Sequence, residues 1–273
     1  MVRQYLQAKA ECPDSLLFFR MGDFYELFFE DALEASELLG LTLTSRDGAE
    51  KESRVPMCGV PVRAVDAYVA RVIRAGRTVT ICDQMEDPRA AKGIVKREVV
   101  RTVTPGTVME PELLDERANN YLGAFALSPE GADGGLALLD VTTGEVLAAA
   151  LDGAPERTLH DEITRMAPAE LLHPDDADPE LLARLRRRFP DITLTARAAD
   201  RFDPDLAGDL VMNTFGLGTL KGVGLDDTPA ALGFLGAALA YVRETQRDGV
   251  PRLRLPRRYS PSGYVVLDGN TQR

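Results

Sequence analysis

Leu16-Leu17-Phe18-Phe19-Arg20-Met21-Gly22-Asp23-Phe24-Tyr25-Glu26-Leu27-Phe28 decides how the first half of the chain is read. Leu16 to Phe19 form a continuous apolar run of strand length, and Gly22 punctuates it three residues later. Asp23 is a good N-cap residue, and Glu26 stands three positions later, where a capping-box partner belongs. Leu27, Phe28, Ala32, Ala35, Leu38 and Leu39 then recur at helical spacing up to Gly40, a helix-ending residue. The pattern predicts a buried strand over 16–20 and a helix over 23–39. Phe24 and Tyr25 fall at the corner between them, beside a carboxylate. Two readings of that corner stand. Either Phe24 is core and Glu26 a cap, or both side chains face a ligand.

Working outward, residues 2–11 read as a helix ended by Cys12-Pro13-Asp14. Leu41-Thr42-Leu43-Thr44 alternates like a strand, and 46–54 is a charged loop. Pro56 and Pro61 bracket a constrained turn around Gly59. Ala64 to Ala75 is an amphipathic helix capped by Gly76. A buried strand over 78–82, a polar loop over 83–93 and a strand over 94–104 complete this part of the chain. The alternation predicts a mixed-sheet α/β domain over 1–112.

Residues 104–120 are rich in proline, glycine, acid and asparagine, and read as a linker with a helical turn, its core at 113–120. Three strands then occupy 121–127, 135–141 and 145–151, with Thr143-Gly144 as the second hairpin turn. Helices and short strands at 156–166, 169–173, 179–188 and 192–195 come next, and then helices at 205–214 and 229–246. Strands first and alternation afterwards suit a second α/β layer domain over 121–250. A proline- and arginine-rich exit fills 251–273.

The 273 residues are 45% hydrophobic, enough for two globular domains. No apolar run is long enough to span a membrane, and the N-terminus has no signal-peptide pattern. Cys12, Cys58 and Cys82 are widely spaced and form no metal or redox motif with His160 or His173, which predicts inert thiols in a reducing cytoplasm. The net charge of −11 argues against strong nonspecific DNA binding by the chain as a whole. The charge is uneven, however. Residues 1–50 hold 4 basic and 10 acidic groups, and 51–101 hold 11 and 6. Residues 102–250 hold 12 and 26, and 251–273 hold 5 and 1. A basic block therefore follows the Phe24–Glu26 corner in sequence.

Arg20-Met21-Gly22-Asp23-Phe24-Tyr25-Glu26-Leu27-Phe28 closely resembles a signature of the MutS family of DNA mismatch-repair proteins. Three further stretches extend the resemblance in the same order. They are Val55-Pro56-Met57-Cys58-Gly59-Val60-Pro61, Ile81-Cys82-Asp83-Gln84, and Val99-Val100-Arg101-Thr102-Val103-Thr104-Pro105-Gly106-Thr107. Asp83 departs from the family's usual glutamate, and Val62-Arg63 stands where Tyr-His is expected. The resemblance implies a mismatch-recognition domain, then an RNase H-like connector domain, then the start of a core domain. It implies that the Phe-x-Glu pair that meets a mispaired base is Phe24 and Glu26. As backbone contacts from the basic block we expect Lys96, Arg97 and Arg101.

The resemblance further implies mismatched double-stranded DNA as ligand, MutL as a partner of the connector, self-association of the full-length protein, and a cytoplasmic, nucleoid-associated location. The ATP and magnesium of the family belong to a domain whose P-loop this sequence lacks. Gly216-Leu217-Gly218-Thr219-Leu220-Lys221-Gly222 is glycine-rich but has no Gly-Lys-Ser/Thr ending, so no cofactor and no enzymatic activity are expected. Asp140 and Asp209 are candidate carboxylates for a metal-dependent nuclease, yet no companion acid is evident, and Asp140 suits an ordinary turn. A second possibility is a protein-interaction module, chiefly docking MutL, with negligible DNA binding in isolation.

Overall fold

The computed structural model describes residues 2–46, 55–86, 95–115, 117–128, 132–226, 228–246 and 252–261. The chain divides into two compact units, one built mainly on residues 1–105 and the other mainly on 106–244.

The first unit is a six-stranded mixed sheet with helices on both faces. Its elements are α1 (Val2–Glu11), β1 (Leu16–Met21), β2 (Phe24–Phe28), α2 (Phe29–Leu39), β3 (Thr44–Arg46), β4 (Val55–Pro61), α3 (Val65–Arg74), β5 (Val79–Gln84) and β6 (Arg97–Val103). The strand order is β3-β4-β2-β1-β5-β6, with β1 and β5 parallel and the other pairs antiparallel. Tyr5 and Ala8 of α1 pack on Leu17, Phe19, Phe28, Cys82 and Val99, so α1 covers one face. Tyr25, Leu27, Cys58 and Val60 point to the other face, where α2 and α3 lie.

The structure corrects three expectations. The helix expected over 23–39 begins only at Phe29, and Phe24–Phe28 is a strand paired with β1 and β4. Asp23 is therefore a turn residue beside Gly22, whose φ of +61° gives the two-residue hairpin its left-handed first position. The turn expected around Gly59 is likewise part of β4. Its prolines are tolerated because β2 pairs only with Met57–Pro61, leaving Pro56 beyond that ladder and Pro61 at its last rung. The strand expected over 41–44 lies at Thr44–Arg46, and the loop at 46–54 falls mostly outside the described residues.

The change from strand to helix at Phe28–Phe29 is abrupt. Phe29 takes a φ of +54°, a left-handed backbone that costs a bulky residue about 1–3 kcal/mol. Hydrogen bonds hold it there. The Tyr5 hydroxyl donates to the Phe28 carbonyl and to the buried Asp31 carboxylate, which also accepts from Lys9 and from the Leu17 N–H. Burial and the Asp31 charge push the Tyr5 hydroxyl's pKa well above its ordinary value, which keeps it a donor.

The second unit has β7 (Tyr121–Leu127), β8 (Gly134–Asp140), β9 (Glu145–Ala150), α4 (Pro155–Met166), β10 (Glu170–Pro174), α5 (Pro179–Arg188), β11 (Thr193–Arg197), α6 (Pro204–Phe215), α7 (Pro229–Thr245) and a short β12 (Arg257–Arg258). The sheet order is β11-β10-β7-β8-β9-β12. An antiparallel β7-β8-β9 meander continued by parallel β10 and β11 is the RNase H-like topology that the resemblance implies for the connector. Period-2 alternation builds its two cores. Leu136 and Leu138 meet α4 and α5, whereas Ala137 and Leu139 meet α6 and α7. No helix among the described residues is long and apolar enough to cross a membrane.

Gly106 shows why glycine is needed after Pro105. Its N–H donates to Oε2 of Glu170, a fully buried carboxylate that also accepts from Thr195 and Tyr241. A Cβ on Gly106 would stand 2.9 Å from both Glu170 Cβ and Leu122 Cδ1. Gly106→Ala is expected to destabilise the second unit by about 1–3 kcal/mol, read from its thermal or denaturant transition. An unchanged transition would show that the neighbours yield freely.

Candidate functional site: a braced hairpin tip

The β1–β2 hairpin carries the residues singled out in the sequence. Phe24 is the first residue of β2 and is 47% exposed, whereas Tyr25, Leu27 and Phe28 are buried. Glu26 lies two residues on, hence on the same face of the strand, and is partly buried. The reading of Phe24 as core does not hold, and the capping role of Glu26 falls with the helix that it would have capped.

Stretches far apart in sequence meet around this pair. Phe24 faces Met21 of β1 and Pro61 of β4, and Glu26 faces Phe19 and Gly59. A Cβ on Gly59 would stand 3.6 Å from Glu26 Cγ and 3.3 Å from the Tyr25 carbonyl oxygen, so a bare glycine gives the carboxylate's stem room. On the opposite face the Tyr25 hydroxyl donates to Asp83 at 2.9 Å, and Arg20 reaches the same carboxylate at 3.3 Å while lying over the Tyr25 ring. Burial and the bond to Asp83 raise the Tyr25 hydroxyl's pKa. The shorter Asp83, where glutamate is usual, thus makes contacts to two residues of the hairpin.

The three expected backbone contacts differ in their surroundings. Lys96 is well exposed and pairs with Glu98 at 2.5 Å. Arg101 lies 3.5 Å from the exposed Asp66. Surface pairs of this kind are worth roughly 0–1 kcal/mol, so either cation can exchange its partner for a phosphate at small cost. Arg97 instead turns onto the sheet. Its guanidinium donates to the Arg20 carbonyl, the Gln4 carboxamide and the Val95 carbonyl, and it stacks over Phe19. Desolvation lowers its pKa somewhat, with nearby Cys82 and Glu26 acting in the opposite sense.

Other candidate chemistry has ordinary explanations. One Asp140 oxygen accepts from the Thr142 N–H, the Thr142 hydroxyl and the Thr143 N–H, which closes the β8–β9 turn. Asp209 is exposed on α6. Among the described residues no group of three or more His, Cys, Asp or Glu side chains could hold a metal ion. Gly216 ends α6 in a left-handed conformation and begins an ordinary loop. Burial pushes the thiol of Cys58 up to about 11 and that of Cys82 up to about 12, so neither is a nucleophile near neutral pH. Sequence reasoning gave no role to Arg20, Tyr25, Asp83 and Gln84. Their signal was membership of the family-like motifs, whose pairing only the fold reveals.

A solvent-facing aromatic and a carboxylate thus share one face of a braced strand tip, in a chain of two α/β domains. Comparison with known proteins supplies the family. MutS domain I matches residues 1–112, and MutS domain II matches residues 120–255. The chain belongs to the MutS family. It is 42% identical to the DNA mismatch repair protein MutS of Myxococcus xanthus (strain DK1622), and 44% identical to that of Symbiobacterium thermophilum. Both alignments cover 100% of this chain, which spans 30% and 31% of the respective relatives.

The exposure difference along β2 generates a paired test. Phe24→Ala should change stability by less than about 0.5 kcal/mol, whereas Leu27→Ala, three residues on, should cost about 2–5 kcal/mol. Thermal melts of the two variants check this, and a large loss for Phe24→Ala would return it to the core.

Proposed function

We propose that this chain reads mispaired DNA, with Phe24 as the wedge and Glu26 as the discriminating group. The observation that carries the proposal is an aromatic side chain held 47% exposed at the end of a hairpin, with a carboxylate on the same face. Opening a correct base step costs a few kcal/mol of stacking and pairing, and a mispair lowers that cost. Phe24 enters where the cost is least and stacks on one base. Every base has a π-face, so the contact tolerates many mispairs.

Glu26 opposes the polyanion wherever the duplex is intact and forms a hydrogen bond to a base only where one is displaced. Lys96 and Arg101 are assigned to phosphates, which position the protein without reading sequence. The second unit, acidic over most of its length, is assigned to contact MutL and to relay to the ATP- and magnesium-dependent part of the full-length protein. Self-association also belongs to the full-length protein. No catalytic step is assigned to these residues.

Binding to a mismatched and a matched duplex at low salt tests the proposal. Phe24→Ala is expected to lower the affinity for mismatched DNA about 5- to 150-fold, the equivalent of one base–aromatic stack of roughly 1–3 kcal/mol. Glu26→Gln should raise affinity for the matched duplex and so reduce the preference. Equal binding of both duplexes by the unsubstituted chain would overturn the reading.

The phosphate contacts have their own signature, because each releases counterions. Arg101→Gln should weaken binding to both duplexes alike and reduce the slope of log K against log salt by about one. An unchanged slope removes Arg101 from the interface.

A further inference from the structure

The β1–β5 ladder pairs Leu16–Phe19 with Val79–Cys82 and stops there, although β1 runs on to Met21. Among the described residues, β5 beyond Cys82 pairs only with β6, through Asp83–Glu98 and Gln84–Arg97. The end of the β1–β2 hairpin, with Phe24 and Glu26 on it, therefore overhangs the ladder on its β5 side. Side chains fill the gap. Arg97 Nε donates to the Arg20 carbonyl at 2.7 Å. In the carboxamide orientation that satisfies its donors, Gln84 Oε1 accepts from Arg97 Nη2 at 3.1 Å and from the Gly22 N–H at 3.3 Å. The Arg97 guanidinium also lies 5.1 Å above the Phe19 ring, and Phe19 is the cross-strand partner of Glu26. Arg97 is itself held from behind by Gln4 and the Val95 carbonyl.

We propose that Arg97 is a positioning residue for mispair reading: with Gln84 it stands in for the missing ladder and fixes the hairpin end that presents Phe24 and Glu26. The assignment rests on the proposed roles of Phe24 and Glu26. It differs from a phosphate contact in what the residue must supply. A phosphate needs a positive charge, which lysine also carries. The clamp needs a planar fork that donates in several directions at once.

Arg97→Lys separates these roles, with Arg97→Gln and Phe24→Ala alongside. Amide hydrogen exchange on the 273-residue chain is measured first. In Arg97→Lys, exchange at Gly22 and across the Met21–Phe24 pair should accelerate about tenfold or more while the Val79–Cys82 amides keep their protection. The same variant should lose at least about fivefold of its preference for a mismatched over a matched duplex, with an unchanged salt slope. Unchanged exchange at Gly22 would overturn the clamp. So would full rescue by lysine combined with a salt slope reduced by about one in Arg97→Gln, since that is the signature of a phosphate contact. Faster exchange through the whole sheet with an intact preference would reduce Arg97 to a general stabiliser, and this too overturns the proposal. Failure of the underlying reading looks different, because Phe24→Ala would then keep the preference whatever happens at Gly22.

Discussion

The parallel ladder between β1 and β5 ends at Phe19–Cys82, and the chain goes on past it to make a turn and come back. Among the described residues, backbone groups beyond that point have no strand on one side, and buried or half-buried N–H and C=O groups left unpaired are costly. The unit answers with polar side chains from both sides of β5 and β6: Asp83 on the face of Tyr25 and Arg20, and Gln84 with Arg97 on the face of Phe24 and Glu26. Below the break the sheet is filled by Leu16, Leu17, Phe18 and Phe19, all essentially inaccessible. Above it, packing gives way to hydrogen bonds. That change is why an aromatic can stand exposed so close to a dense core.

The strand that carries Phe24 was the part of the first unit least legible in the sequence. Two periodicities overlap there. Phe24, Glu26 and Phe28 alternate with Tyr25 and Leu27 at period 2, while Leu27 and Phe28 also begin the helical series that runs through Leu39. Asp23 and Glu26 have capping-box spacing by coincidence, and that local signal favours helix. The competing term is non-local. β2 exists because β1 and β4 each offer a ladder to it, and β4 itself was hidden by Pro56 and Pro61, which read locally as turn formers. The residue that reconciles the two periods is Phe29, whose left-handed backbone lets a strand become a helix without a loop. Nothing in its identity announces that conformation.

The second unit was far more legible. Its strands are apolar runs of strand length set off by turn residues, its helices are likewise separated by turn residues, and Asp178 and Asp203 cap α5 and α6 through their carboxylates. The turn after β8 was also readable, since the run Asp140-Val141-Thr142-Thr143-Gly144 suits a side chain that hydrogen-bonds its own backbone, and Asp140 does so. What escaped was β12. Two residues, Arg257 and Arg258, inside a proline- and arginine-rich stretch join the edge at β9 by parallel pairing with Leu147 and Ala148, far away in sequence. Neither composition nor period encodes such a contact. Candidate site residues divide the same way: Phe24 and Glu26 were legible through the motif, and the side chains that brace them only through strand pairing.

A wedge has two requirements that pull against each other. It must be exposed to meet a base, and exposed chain ends of hairpins are ordinarily the least ordered parts of a sheet. Fixing each mobile residue costs about 1–2 kcal/mol of backbone entropy, so ordering a tip of about four residues at the moment of binding would cost several kcal/mol. The discrimination available to a single aromatic stack is of similar size, roughly 1–3 kcal/mol. A loose tip would therefore lose to its own ordering what separates a mispair from a paired step. A tip ordered beforehand leaves that difference to be expressed in binding. The polar contacts of Asp83, Gln84 and Arg97 order the hairpin during folding, when the entropy is offset by the burial of the sheet beneath it. By this arithmetic the selectivity proposed for Phe24 rests on side chains that need never touch the DNA.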